Sequence, residues 1–193
     1  SAIIIRASDG AILYGKNHSL KLLPASTTKV MTALIVLGGF SLDKGVIISA
    51  KAVKVEPTRA GLSQGASYAR RDLLKACLLS SANDAAVALA EGIAGSEREF
   101  AVLMNKKARE LGMKDTLFVN ATGLPDTQKS YSTAYDLALL MQAAAKNPIF
   151  VKIMNLKKAV ITGSDGKTID LRNHNKMLWR KPGVIGKPGY TFK

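Results

Sequence analysis

An α+β fold is predicted by the order of the apolar segments, which have hairpin spacing near both ends of the chain and helical spacing through its middle. Residues 2–7 and 11–14 flank Ser8-Asp9-Gly10, and residues 159–162 and 168–171 flank a second polar turn. Between them lies a succession of apolar stretches with a period near 3.6. The expectation is an antiparallel sheet built from both chain ends, with a central helical lobe.

Asp9-Gly10 between two apolar runs is a strong hairpin signal, because a two-residue turn needs positive φ at both central positions. After a connection over 15–23, residues 26–37 read as a helix apolar on almost every side, stopped by Gly38 and Gly39. Residues 45–48 read as a strand. Residues 51–68, with Pro57, Gly61 and Gly65, read as an irregular connection. Helices follow over 71–79 and 85–94, the second ending at Gly95. A third, 97–111, puts Phe100, Leu103, Met104, Ala108 and Leu111 on one face before Gly112. Residues 118–125 read as a loop, and 132–145 as a helix capped by Ser132 or Thr133 and stopped before Pro148. No internal repeat or low-complexity linker interrupts the 193 residues, and 47% hydrophobic content suits one sizeable core, so 1–193 is expected to form a single domain.

The formal charge of +14, from 28 basic and 14 acidic residues, favours anionic partners. Nucleic acid is disfavoured: the cations are dispersed, and aromatics, at 6%, are not interleaved with them as stacking platforms. Cys77 is the only cysteine, which excludes an internal disulfide and any cysteine metal site. His18 and His174 lack ligand spacing and read as ordinary surface or turn residues, so no metal and no cofactor is expected. No apolar run is long enough to span a membrane, and no basic-then-apolar leader opens the sequence, so any export signal is expected to have been removed or never to have been there.

Chemistry enters at Pro24-Ala25-Ser26-Thr27-Thr28-Lys29. Three residues apart at a helix start, Ser26 and Lys29 share a face, and a buried face would disfavour the ammonium. The lysine could then accept the serine proton, while free first-turn N–H groups favour a developing oxyanion. Alone, the pair reads more readily as a helix cap beside a snorkelling lysine.

Two further elements follow in order: Ser81-Ala82-Asn83 between two helices, and Lys187-Pro188-Gly189 near the end. With Ser26-x-x-Lys29 they resemble the three motifs of the penicillin-recognising serine enzymes, S-x-x-K, S-x-N and K-T-G. Connecting segments, including Asn120-Ala121-Thr122-Gly123-Leu124 and Tyr131-Ser132-Thr133-Ala134-Tyr135-Asp136-Leu137, are similar to the low-molecular-weight D-alanyl-D-alanine carboxypeptidases. This resemblance implies a β-lactamase/transpeptidase-like fold and removal of the terminal D-alanine from peptidoglycan stem pentapeptides through an acyl-enzyme. It implies Ser26 as nucleophile and Lys29 as its base. Ser81 and Lys187 would be a second hydroxyl–amine pair relaying protons, so both lysines should converge on the Ser26 oxygen. Asn83 would donate to the substrate backbone, and Gly189, Tyr190 and Thr191 would line an edge strand carrying an oxyanion donor at Tyr190. β-Lactams would acylate Ser26. The implied location is the cell envelope outside the cytoplasmic membrane, with membrane attachment only through a segment outside this sequence.

Two departures qualify the resemblance. Pro188 stands where the family has threonine, removing a hydroxyl expected to hold the substrate carboxylate and leaving Lys187 and Thr191 to compensate. The family's domain also continues with strands and a helix beyond the position of Lys193, so a complementing C-terminal fragment is expected. The alternatives are a β-lactamase of the same fold, which the absence of an E-x-x-L-N segment disfavours, and a catalytically impaired peptidoglycan-binding relative.

Overall fold

The computed structural model describes residues 1–189. The chain opens with the predicted hairpin, β1 (Ala2–Ile5) and β2 (Ile12–Lys16). Its turn is longer than the two-residue form: Arg6 N–H donates to the Ala11 carbonyl and Gly10 N–H to the Arg6 carbonyl, both at 2.8 Å. Of the Asp9-Gly10 pair only Gly10 takes positive φ, 78°. Asp9 is held instead by its carboxylate, which accepts from Ala11 N–H and the Arg6 guanidinium.

A 3-10 turn (Ala25–Thr27) leads into α1 (Thr28–Leu37), so Ser26 sits in the tighter turn ahead of the helix and caps nothing with its side chain. The segment read as irregular holds two short elements. One is α2 (Ala50–Lys54), capped by Ser49 through Ala52 N–H at 2.9 Å; the other is β4 (Ser67–Ala69), which pairs with β3 (Gly45–Ile47). The three long central helices are as expected: α3 (Arg70–Leu79), α4 (Asn83–Ala94) and α5 (Glu97–Glu110). Thr133 caps α6 (Ala134–Ala145), accepting from Asp136 N–H at 3.0 Å. Pro148 both ends α6 and opens α7 (Pro148–Met154), where its missing N–H costs nothing at the first position and Asn147 supplies the cap. The predicted second hairpin is β5 (Lys158–Thr162) with β6 (Thr168–Arg172), followed by α8 (Lys176–Arg180).

The α+β class therefore holds, with one correction. The strands form three separate two-stranded sheets, and among the described residues no ladder joins the first hairpin to the last. Residues 184–189 run without strand pairing, and Pro188 has no N–H to give to a ladder. The first hairpin packs beside α6 and leaves Ile4, Ile12, Leu13 and Tyr14 about half exposed.

The core is organised on α4, whose residues 83–90 are all buried. Its alanines let α3 and α5 approach closely, and a Cβ at Gly92 would collide with Val46 of β3. Against this layer lies α1, which is buried along nearly its whole length. No single helix among the described residues is long and apolar enough to cross a membrane.

Candidate active site

The first turn of α1 is bound to the loop over 120–124, which is braced by one side chain. Asn120 Oδ1 accepts from the N–H groups of Thr122 and Gly123 at 3.2 and 2.8 Å, and its Nδ2 donates to the Leu124 carbonyl at 3.0 Å. This loop turns its carbonyls toward α1, where Thr32 Oγ1 donates to Ala121 at 2.7 Å and Lys29 Nζ donates to Thr122 at 2.7 Å. Gly123 has φ 79° and lies so close to the Ala25 carbonyl that any Cβ would overlap it. Ala25 itself holds a left-handed φ of 47°. At roughly 1–2 kcal/mol for a non-glycine residue, that conformation persists because the loop and the turn fix each other.

Lys29 is fully buried, 0% exposed, and its Nζ lies 3.1 Å from Ser26 Oγ. Burial lowers its pKa to about 8, with Cys77 and Asp84 opposing weakly. The desolvated amine expected from the apolar helix is therefore present, beside the hydroxyl it was expected to serve.

Ser81, at φ 57°, and Asn83 sit at the α3–α4 junction. Neither side chain caps α4. Asn83 ties the junction to the neighbouring loop, with Nδ2 donating to Glu56 O at 2.8 Å and its backbone N–H to Thr58 O at 2.7 Å. Asp84 secures the same loop by accepting from the N–H groups of Ala60, Gly61 and Leu62.

Lys187 arrives from the far end of the chain, and its Nζ donates to Ser81 Oγ and to Pro188 O, both at 2.8 Å. Burial, then repulsion from Lys29, lowers its pKa to about 7. Each lysine thus holds its own serine. Among the described residues no hydrogen bond links Lys187 to Ser26, so the two amines do not meet on one oxygen as expected.

Gly189 abuts the 3-10 turn: a Cβ there would lie 3.3 Å from Thr27 Cγ2 and 3.4 Å from Thr27 N. Its missing side chain lets the third motif close against the first. Tyr190 and Thr191 lie outside the described residues.

These groups surround a cleft of about 560 Å³ lined by Ser26, Ser81, Asn83, Gly123, His174 and Gly189, among others. His174, read from sequence as ordinary, faces this cleft. No cluster among the described residues could hold a metal. The site can perform nucleophilic acyl transfer: a hydroxyl with an adjacent low-pKa amine, a second hydroxyl–amine pair, and an amide donor at the rim.

The sequence profile of the D-alanyl-D-alanine carboxypeptidase family matches residues 1–193. The chain is 39% identical over 199 residues to D-alanyl-D-alanine carboxypeptidase DacF of Bacillus subtilis, covering 99% of this chain and 50% of that protein. A mycobacterial relative, a D-alanyl-D-alanine carboxypeptidase of Mycobacterium tuberculosis, is 36% identical, with 98% and 65% covered. The chain thus spans half to two-thirds of the length of these curated relatives. Among solved structures, a D-alanyl-D-alanine carboxypeptidase of M. tuberculosis superposes with TM-score 0.92 at 34% identity, covering 98% of this chain and 72% of the other. A Streptomyces DD-transpeptidase superposes at 0.89 and 29% identity, covering 98% and 79%. Sequence match over the full length and superposition over nearly all of it agree with the motif geometry, and the chain belongs to the D-alanyl-D-alanine carboxypeptidase family.

Proposed function

We propose that this chain carries the acylating site of a serine-type D-alanyl-D-alanine carboxypeptidase that trims peptidoglycan stem peptides. The observation that carries the reading is the Lys29 amine, buried and 3.1 Å from the Oγ of Ser26, which lines the cleft. With a pKa near 8, about one lysine in ten is neutral at pH 7, against fewer than one in a thousand at the ordinary value of 10.5.

Neutral Lys29 takes the Ser26 proton as Oγ attacks the carbonyl carbon of the penultimate D-alanine. The oxyanion forms near the backbone N–H of Ser26 in the 3-10 turn. Collapse breaks the C–N bond, and the leaving D-alanine amine takes a proton through Ser81 and Lys187. Their 2.8 Å contact and the Lys187 pKa near 7 suit a relay that both accepts and gives near neutrality. Water then cleaves the ester on Ser26 and releases the shortened peptide. Asn83, with one N–H committed to Glu56, offers its second to the substrate backbone. The same steps without ready deacylation leave a β-lactam attached to Ser26. Such a substrate places the protein at the cell wall, outside the cytoplasmic membrane.

The test is D-alanine release from diacetyl-L-lysyl-D-alanyl-D-alanine, with a fluorescent penicillin in parallel. Release abolished in Ser26→Ala, together with persistent labelling of the parent protein, is expected. Rapid penicillin turnover would assign a β-lactamase instead, and neither release nor labelling would reduce the site to a binding cleft.

A further inference from the structure

We propose that a basic ridge, formed by the open end of the second hairpin and the outer face of α8, binds a linear, base-free phosphodiester polymer beside the cleft. The ridge uses none of the acylating groups, so it stands or falls apart from the carboxypeptidase reading.

Charge is distributed unevenly along the chain. Residues 137–193 carry eleven basic side chains and two acidic ones, Asp165 and Asp170, which accounts for nine of the net fourteen charges. Folding brings six of these cations together. Lys158 lies directly opposite Arg172 at the open end of the β5–β6 ladder, and Lys157 precedes it. Lys176, Trp179 and Arg180 share one face of α8 by their spacing of three and four, and Lys181 follows. All six cations are exposed, and among the described residues none of them makes an ion pair or a side-chain hydrogen bond. Like charges set directly opposite one another weaken a ladder. The chain keeps such a pair at Lys158 and Arg172, while Asp170, two residues earlier on β6, sits opposite Val160 and pairs with neither.

The cations are held in place. Trp179 donates its indole N–H to Asn173 O at 2.9 Å, which fixes the ring. Over that ring lie the Arg172 guanidinium, 4.8 Å from the centroid, and the Lys157 amine, at 5.8 Å. Cation–π contact orients both charges yet uses none of their N–H donors. The strand ends beneath are strapped as well: Asn173 N–H donates to Lys157 O and its Nδ2 to Leu156 O, both at 2.9 Å. In the extended run 171–175 the odd positions are buried and the even ones exposed, so Arg172 points to the same side as His174, which lines the cleft. The ridge thus reaches the cleft edge.

The free N–H donors of Arg172 and Arg180 suit phosphate oxygens, which a guanidinium grips in bidentate pairs. Six charges spread over a strand pair and a helix suit a chain that presents one anion per repeat. Two other polyanionic partners fit less well. Nucleic acid gains from bases stacked on aromatic faces, and the Trp179 ring is engaged by cations. A membrane surface gains from an inserted indole, and Trp179 is tied to backbone. A phosphodiester chain without bases needs neither.

Trp179 is the only tryptophan, so its fluorescence reports the ridge directly. Titration of the whole chain with poly(glycerol phosphate) should change the emission saturably, with the logarithm of the binding constant falling linearly against that of the salt concentration. Lys158→Glu turns the repulsive pair with Arg172 into an attractive one, so it should hold or raise the unfolding midpoint while weakening the polymer about tenfold. Lys106→Glu, the same charge change on exposed α5, should weaken it by no more than about twofold. Equal losses from the two variants would assign the binding to overall charge and overturn the site. An emission unmoved by the polymer, or tighter binding at equal phosphate to single-stranded DNA or to phosphatidylglycerol vesicles, would overturn it as well. Penicillin labelling should be the same in Lys158→Glu as in the parent, and its absence from both would overturn the carboxypeptidase reading alone.

Discussion

Replacing Lys29 with methionine tests the buried amine directly, because stability and chemistry should respond in opposite directions. Methionine is unbranched and of similar volume, so the core around α1 keeps its packing. The amine it removes is fully buried, with a pKa lowered from 10.5 to about 8. At about 1.4 kcal/mol per unit, holding that ammonium in the folded protein at pH 7 costs about 3 kcal/mol. Against the gain stand two lost hydrogen bonds, to Ser26 Oγ and Thr122 O, and a carbonyl left unpaired, together about 1–3 kcal/mol. Lys29→Met should therefore be no less stable than the parent at pH 7, and up to about 2 kcal/mol more stable. The sign of the pH dependence is sharper. Between about pH 8 and 10.5 the unfolded chain binds more protons at Lys29 than the folded one, so the parent gains stability as pH rises. The variant lacks this contribution, and its advantage should shrink by about 3 kcal/mol between pH 7 and pH 10.5. Other titrations are common to both proteins and cancel. Urea unfolding of the pair at the two pH values measures the difference, and parallel stability profiles would refute a desolvated lysine. Acylation by penicillin should meanwhile fall by about a hundredfold or more.

Other substitutions probe the remaining supports. Ser81→Ala takes one of two acceptors from the Lys187 amine and should slow peptide turnover by about a hundredfold while leaving the unfolding midpoint within a few degrees, read by steady-state kinetics and calorimetry. Gly123→Ala forces a Cβ into the Ala25 carbonyl at φ 79° and should cost at least about 2 kcal/mol in urea unfolding, with loss of penicillin labelling. Asp84→Ala removes the acceptor for three N–H groups of residues 60–62 and should cost about 2–4 kcal/mol, with faster proteolysis of that loop. Pro188→Thr restores a hydroxyl beside the cleft and should lower KM for the peptide with little change in kcat, whereas unchanged kinetics would show that the hydroxyl is not missed.

Much of this arrangement was legible in the sequence because it rests on long, periodic elements. The apolar run of α1, the α3–α4 pair and the Thr133 cap of α6 each left a pattern that local physics explains. What escaped notice is short or depends on distant partners. β4 has three residues and α2 five, too few for a period, and Pro148 opens α7 at the position where proline reads as a stop. That Lys187 bonds Ser81 without also reaching Ser26 depends on where residue 187 returns in space, which no local pattern encodes. That His174 lines the cleft was missed for the same reason: it is flanked by two asparagines whose partners lie 9–19 residues away.

The most direct test is to locate the adduct formed with a β-lactam by mass spectrometry of proteolytic peptides. A mass increase of one intact β-lactam on the peptide containing Ser26, absent in Ser26→Ala and strongly reduced in Lys29→Met, is the predicted result. An adduct on any other residue, or one that persists without the Ser26 hydroxyl, would contradict the assignment of this serine as the nucleophile.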